Sequence, residues 1–156
     1  MLHIVLVEDN PADAQMLQTA LRATGTPTEI TLLTDGAKAL EHFCGNASAG
    51  AHNCDLLLLD LNLPRVSGFE VLERIRARED LKYLPVIVMS GSSSPMEVER
   101  CYRAGANSYV CKPSHLDEIF SKVAKFVAYW SQCVELPQKQ LRERVHPMPG
   151  STLPQR

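Results

Sequence analysis

The sequence predicts an α/β fold, a doubly wound five-stranded parallel sheet with five helices, and three observations carry that prediction. Short apolar runs alternate with stretches of helical character, and the alternation occurs five times. Three of the runs, at 3–7, 56–59 and 86–89, are almost continuously apolar, as strands buried on both faces must be. The first and last intervening stretches carry apolar stripes at steps of three and four.

The elements follow in order. A strand over 2–7 leads to Asn10-Pro11, a capping residue before a proline suited to the first helical position, and a helix over 11–24 with Ala14, Leu17 and Leu21 on one stripe. The second strand spans 29–34 and the second helix 36–44. A loop of small residues at 45–53 precedes the third strand (55–59) and third helix (67–78). The fourth strand (85–90) leads to Ser94-Pro95, which repeats the cap-then-proline signal before a helix over 95–104. The fifth strand is 108–111. The last helix spans 115–133, with Leu116, Ile119, Val123, Phe126 and Trp130 as its stripe and Ser114 placed to cap it. Beyond Glu135 the pattern dissolves among four prolines and a net charge of +2. The expected division is therefore a folded domain over 1–134 and a tail over 135–156, with a short helix at 136–145.

Composition narrows the function. The 156 residues suffice for one domain with a substantial core, and 45% hydrophobic with 22% charged content is that of a soluble globular protein. A net charge of -2 argues against nucleic acid or an anionic membrane as an obligatory partner. Five cysteines without a C-x-x-C pair point to reduced thiols. The opening residues form a strand rather than a signal peptide, and no stretch is long and apolar enough to span a bilayer, so a cytoplasmic location is expected.

Ligands on an open parallel sheet bind beyond the carboxyl ends of its strands. Those ends carry Glu8-Asp9, Asp60, Ser90-Gly91 and Lys112-Pro113. A single aspartate after a strand is ordinarily a turn former or helix cap, which suits Asp35 and Asp55. Three acids at one edge are different, because like charges repel and raise one another's proton affinity. A hard cation such as Mg²⁺ removes the conflict, while Lys112 and the Ser90 hydroxyl suit phosphate oxygens. The chemistry that fits is phosphoryl transfer to Asp60, with an acyl phosphate as product.

At these residues the chain resembles the response-regulator receiver domain, over about 2–130. The matching pieces are VLVEDN (5–10), LLLLDLNLPRVSGFEVL (56–72), PVIVMSGSSS (85–94) and AGANSYVCKP (104–113). The resemblance implies a flavodoxin-like sheet of strand order 2-1-3-4-5. It implies Asp60 as phosphoacceptor, and Glu8, Asp9, Asp60 and the Asn62 carbonyl as the Mg²⁺ site. It also implies Lys112 on the phosphoryl group with a cis Lys112–Pro113 bond, Ser90 as switch hydroxyl and Tyr109 as switch aromatic, and Pro64 and Gly68 as residues shaping the loop after Asp60. On residues alone, Tyr109 reads equally as a half-buried strand tyrosine.

The implied partner is a sensor histidine kinase docking near the first helix. The Asp9–Asp13 start and the long 45–53 loop are similar to those of regulators paired with phytochrome-type kinases. The implied output is altered protein–protein contact at the face of helix 4, strand 5 and helix 5, with homodimerisation as one form of it. Val127, Trp130 and Val134 are candidates for such contact if they project beyond the core, and packing onto their own domain explains them equally well. Rivals are a haloacid-dehalogenase-type phosphatase, which wants an acid where Asn62 stands, and a flavodoxin-like cofactor binder, whose phosphate Glu8-Asp9 would repel. A degenerate receiver acting as a phosphorylation-independent interaction module is the alternative within the family.

Overall fold

The computed structural model describes residues 1–45 and 53–137. Its elements are β1 (Leu2–Val7), α1 (Pro11–Ala23), β2 (Thr28–Leu33), α2 (Gly36–Cys44), β3 (Leu56–Asp60), α3 (Gly68–Arg76), β4 (Val86–Ser90), α4 (Pro95–Arg103), β5 (Ser108–Cys111) and α5 (Leu116–Ala128). Most of the 45–53 loop and of the expected 136–145 helix lies outside the described residues.

The strands pair in parallel in the order β2-β1-β3-β4-β5, as expected. Side-chain alternation along each strand sorts the apolar residues onto two faces. Ile4, Leu6, Leu58, Ile87 and Met89 meet Leu17 and Leu21 of α1 and Ile119 and Val123 of α5. Val5, Val7, Leu57, Leu59 and Val88 meet Phe43 of α2, Phe69, Leu72 and Ile75 of α3, and Cys101 of α4. Every position of β3 is buried, the terminal Asp60 included. Register places Val7 beside Leu59, Asp60 beside Met89 and Ser90 beside Cys111, so the loops leaving these strands emerge on one edge.

Helix starts show where local chemistry suffices. Asn10 Oδ1 accepts from the N–H groups of Ala12 (2.9 Å) and Asp13 (3.2 Å), and Asp35 Oδ1 from that of Lys38 (2.8 Å). Asp55 closes the start of the β1–β3 ladder, its Oδ2 accepting from His3 N at 2.9 Å. Two expectations need correction. Ser94 stands at the N-cap of α4 without a side-chain bond, and α5 begins at Leu116 with His115, not Ser114, in the cap position. The acids Asp117 and Glu118 in the first turn of α5 favour its positive end instead.

The last helix is also not uniform. It leaves α geometry after Ala128 for one π turn, Tyr129–Cys133, where Ser131 Oγ donates to the Val127 carbonyl at 2.6 Å. A hydroxyl bonding back by four residues competes with the regular ladder. Val127 is fully buried and Trp130 packs against the α1–α5 side of the core, so both serve their own domain.

Helix α3 stops at Arg76, two residues before the expected end, where the chain turns through a 3-10 segment, Glu79–Leu81. The Arg76 guanidinium holds that turn. Its Nε donates to Gly105 O (2.8 Å), Nη1 to Leu81 O (3.2 Å), and Nη2 to Leu84 O and Asn107 Oδ1 (2.9 Å each). Asn107 Oδ1 also accepts from Val86 N at 2.8 Å, so one planar fork ties α3 to the starts of β4 and β5. Burial lowers the proton affinity of this guanidinium. Replacing it by methionine strands those oxygens, and we expect a loss of about 2–4 kcal/mol in urea unfolding. Arg76→Lys should restore little, because one ammonium cannot reach all four acceptors; full restoration would dismiss the fork.

Candidate functional site

The edge beyond the strand ends gathers charge from four distant segments. Glu8 follows β1 and is only 1% exposed; its Oε1 accepts from Asn10 N at 3.0 Å. Asp60 ends β3 at 6% exposure, with Oδ1 accepting from Asn62 N at 3.0 Å. Asp9 is exposed beside them. One carboxylate oxygen from each of Glu8, Asp9 and Asp60 lies within 4.8 Å of the others. Lys112 follows β5, held there by its N–H donating to Ser90 O at 2.7 Å. Its ammonium donates to Glu8 Oε2 (2.5 Å), Asp60 Oδ2 (2.8 Å) and Asp13 Oδ2 (3.2 Å).

The electrostatics follow from crowding. Burial raises the Glu8 carboxyl from an ordinary 4.5 to about 7, with the Asp60 charge adding to it and Lys112 opposing. Burial also works against the Lys112 ammonium, but its bonds to Asp60 and Glu8 outweigh that and hold its proton more firmly than usual. Three hard oxygen donors facing one internal cation suit a divalent ion of the Mg²⁺ type.

The residues singled out in the sequence divide into two groups. Glu8, Asp9, Asp60 and Lys112 come together at this edge, and Asn62 contributes its N–H to Asp60. Ser90 is wholly buried, but its hydroxyl turns to a residue the sequence did not single out: Ser90 Oγ donates to Glu97 Oε1 at 2.9 Å. Tyr109 is half-buried and its hydroxyl reaches the same Glu97 oxygen, with Ser92 O at 2.8 Å as a second acceptor. Burial and the adjoining Glu97 carboxylate push the Tyr109 phenol up to about 12. The Lys112–Pro113 bond, expected cis, is trans: no described peptide bond is cis. Trans is the lower-energy isomer even before proline, and Lys112 reaches its three carboxylates in that form.

Asp13 and Glu97 were both missed. Asp13 had a signal, because it lies one turn beyond Asp9 on a helix that starts at the site. Glu97 had a misleading one. Ser94-x-x-Glu97 reads as a capping box, yet Ser94 makes no side-chain cap and Glu97 faces Ser90 and Tyr109.

Comparison with known proteins gives the chain relatives in one family. Residues 4–124 match the family described as the response regulator receiver domain. The chain is similar to the probable methanogenesis regulatory protein FilR2 of Methanothrix harundinacea, with 36% identity over 81% of this chain and 82% of that protein. It is similar to the response regulator Rcp1 of Synechocystis, with 34% identity over 86% of this chain and 92% of that one. Among solved structures, that of the phosphorylated cyanobacterial phytochrome response regulator RcpA superposes with a TM-score of 0.80 at 36% identity, covering 87% of this chain and 98% of RcpA.

Proposed function

The chain belongs to the response regulator receiver family, and from that premise we propose that Asp60 takes a phosphoryl group from a phytochrome-type histidine kinase and passes the signal on as altered protein–protein contact. One observation carries the assignment: the buried Asp60 carboxylate lies against Glu8 and Asp9, with Lys112 bonded to it at 2.8 Å.

Mg²⁺ is the cation we assign to the acidic group, held by Glu8, Asp9, Asp60 and the Asn62 carbonyl, and when bound it neutralises charge on the phosphoryl oxygens. The remaining work falls to the chain. An Asp60 oxygen forms the new bond to phosphorus as the bond to the kinase imidazole nitrogen breaks, and the bonding pair leaves with the imidazole. The Asn62 N–H aims the Asp60 carboxylate. The Lys112 ammonium, already at the acceptor, moves from balancing the Asp60 carboxylate to balancing the phosphoryl oxygens, which carry roughly -1.5 to -2 while the esterified carboxylate gives up its own charge. The Ser90 hydroxyl donates to a phosphoryl oxygen once it turns from Glu97.

We assign the output to the face of α4, β5 and α5, where Met96, Tyr102 and Phe120 are exposed, with homodimerisation as one outcome. Nucleic acid and membrane are not among the assigned partners, and a cytoplasmic location is inferred; no described helix is long and apolar enough to cross a bilayer. Residues 1–134 are assigned as the receiver domain and 135–156 as a tail.

Incubation with acetyl phosphate and Mg²⁺, followed by intact mass, tests the acceptor. We expect a phosphoryl adduct that needs the divalent ion and disappears in Asp60→Asn. An adduct that survives the substitution would move the acceptor elsewhere. No adduct and no beryllofluoride binding would favour the constitutive interaction module.

A further inference from the structure

The hydroxyls of Ser90 and Tyr109 end on a single acceptor that the phosphoryl chemistry does not use. Glu97 sits in the first turn of α4, half-buried, and its Oε1 receives Ser90 Oγ at 2.9 Å together with the Tyr109 hydroxyl. A serine hydroxyl has one hydrogen to give. Here that hydrogen is committed to Glu97, while the Ser90 oxygen accepts from Ser92 N at 3.2 Å. Ser90 can therefore bond Glu97 or a phosphoryl oxygen, and not both.

We propose that Glu97 is the latch of the unphosphorylated state, a positioning residue whose carboxylate competes with the phosphoryl oxygens for the Ser90 hydroxyl and holds Tyr109 until that competition is lost. The proposal rests on the assignment of Asp60 as acceptor and adds the element that sets the switching threshold. The connectivity supports it. Ser90 ends β4, Ser92 lies in the loop after it, Glu97 opens α4 and Tyr109 lies on β5, so one carboxylate joins the segments behind the assigned output face. Tyr109 also has a fallback in Ser92 O at 2.8 Å, so losing the Glu97 bond does not leave the phenol without an acceptor.

The energetics have a definite sign. A hydrogen bond to a carboxylate is roughly twice as strong as one between neutral groups. Each such bond made only in the resting state lowers the fraction of protein ready to receive the phosphoryl group, and the apparent affinity for a phosphoryl mimic falls in proportion. Glu97→Gln keeps the shape and weakens both bonds.

The test is the affinity of the full chain for beryllofluoride with Mg²⁺, measured by calorimetry for wild type, Glu97→Gln, Ser90→Ala and the double variant. We expect Glu97→Gln to bind roughly tenfold tighter, with Glu97→Ala moving the same way and thermal unfolding showing that each variant is folded. The gain should shrink when Ser90 is alanine, because the Ser90–Glu97 bond is then already gone and only the Tyr109 bond is left to weaken. Unchanged or weaker binding by both Glu97 variants overturns the latch. An equal gain with and without Ser90 also overturns it, since removal of a nearby negative charge would then be the whole effect. A wild type that binds no beryllofluoride overturns the acceptor assignment, and the latch with it.

Discussion

Lys112→Met is expected to destabilise the protein by about 3–5 kcal/mol in metal-free buffer at neutral pH, and Mg²⁺ should return most of that loss. The wild-type ammonium bonds Glu8, Asp60 and Asp13 at once, and the first two of these side chains are 1% and 7% exposed. Removing the cation leaves buried carboxylates facing one another, where water screens them poorly. The pH dependence has a fixed sign. Glu8 titrates near 7 in the folded protein against an ordinary 4.5, so folding binds a proton in that interval. Its contribution to stability is largest below about 4.5 and is lost as pH rises through 7. Without Lys112 the main opposing influence disappears, so the loss should deepen and extend to higher pH. Urea unfolding at pH 5.5 and 8, with and without Mg²⁺, measures this. A loss equal at both pH values and indifferent to Mg²⁺ would show that Lys112 matters for packing alone.

Gly68→Ala is expected to cost more than about 4 kcal/mol, against the direction of helix propensity, which favours alanine by about 1 kcal/mol. A Cβ at Gly68 would stand 1.9 Å from the Asp60 carbonyl oxygen and 2.8 Å from Leu61 Cα. Both are backbone atoms, so no side chain can turn aside. The approach is built in, because Gly68 N donates to Leu61 O at 3.1 Å and seats the first turn of α3 on the end of β3. Any relief must move the main chain of Asp60 itself. Protein that still folds should therefore accept phosphate more slowly from acetyl phosphate, as intact mass over time would show. Wild-type stability and rate would mean that the loop yields without carrying Asp60 with it.

Much of the molecule was legible along the chain because the signals are local. Continuous apolar runs at 56–59 and 86–89 announce strands buried on both faces, and Asn10-Pro11 announces a helix whose cap forms as expected. The end of α3 was not legible, because it depends on carbonyls at Leu81, Leu84 and Gly105 that Arg76 reaches only after the chain has returned. The π turn of the last helix escaped because its apolar stripe continues through Trp130 and a 3.6-residue repeat does not register the Ser131 bond.

The site divides in the same way. By itself the sequence determined the fold class and the identity of the residues at the strand ends, because hydrophobic period and strand termination are properties of neighbouring residues. Tertiary structure alone decided that Lys112 takes Asp13 as a third carboxylate, that Glu8 holds its proton to about 7, and that Ser90 and Tyr109 share Glu97. Each of these depends on distance and burial between groups far apart in the chain, and hydrogen bonds and charges act through space whatever the sequence separation.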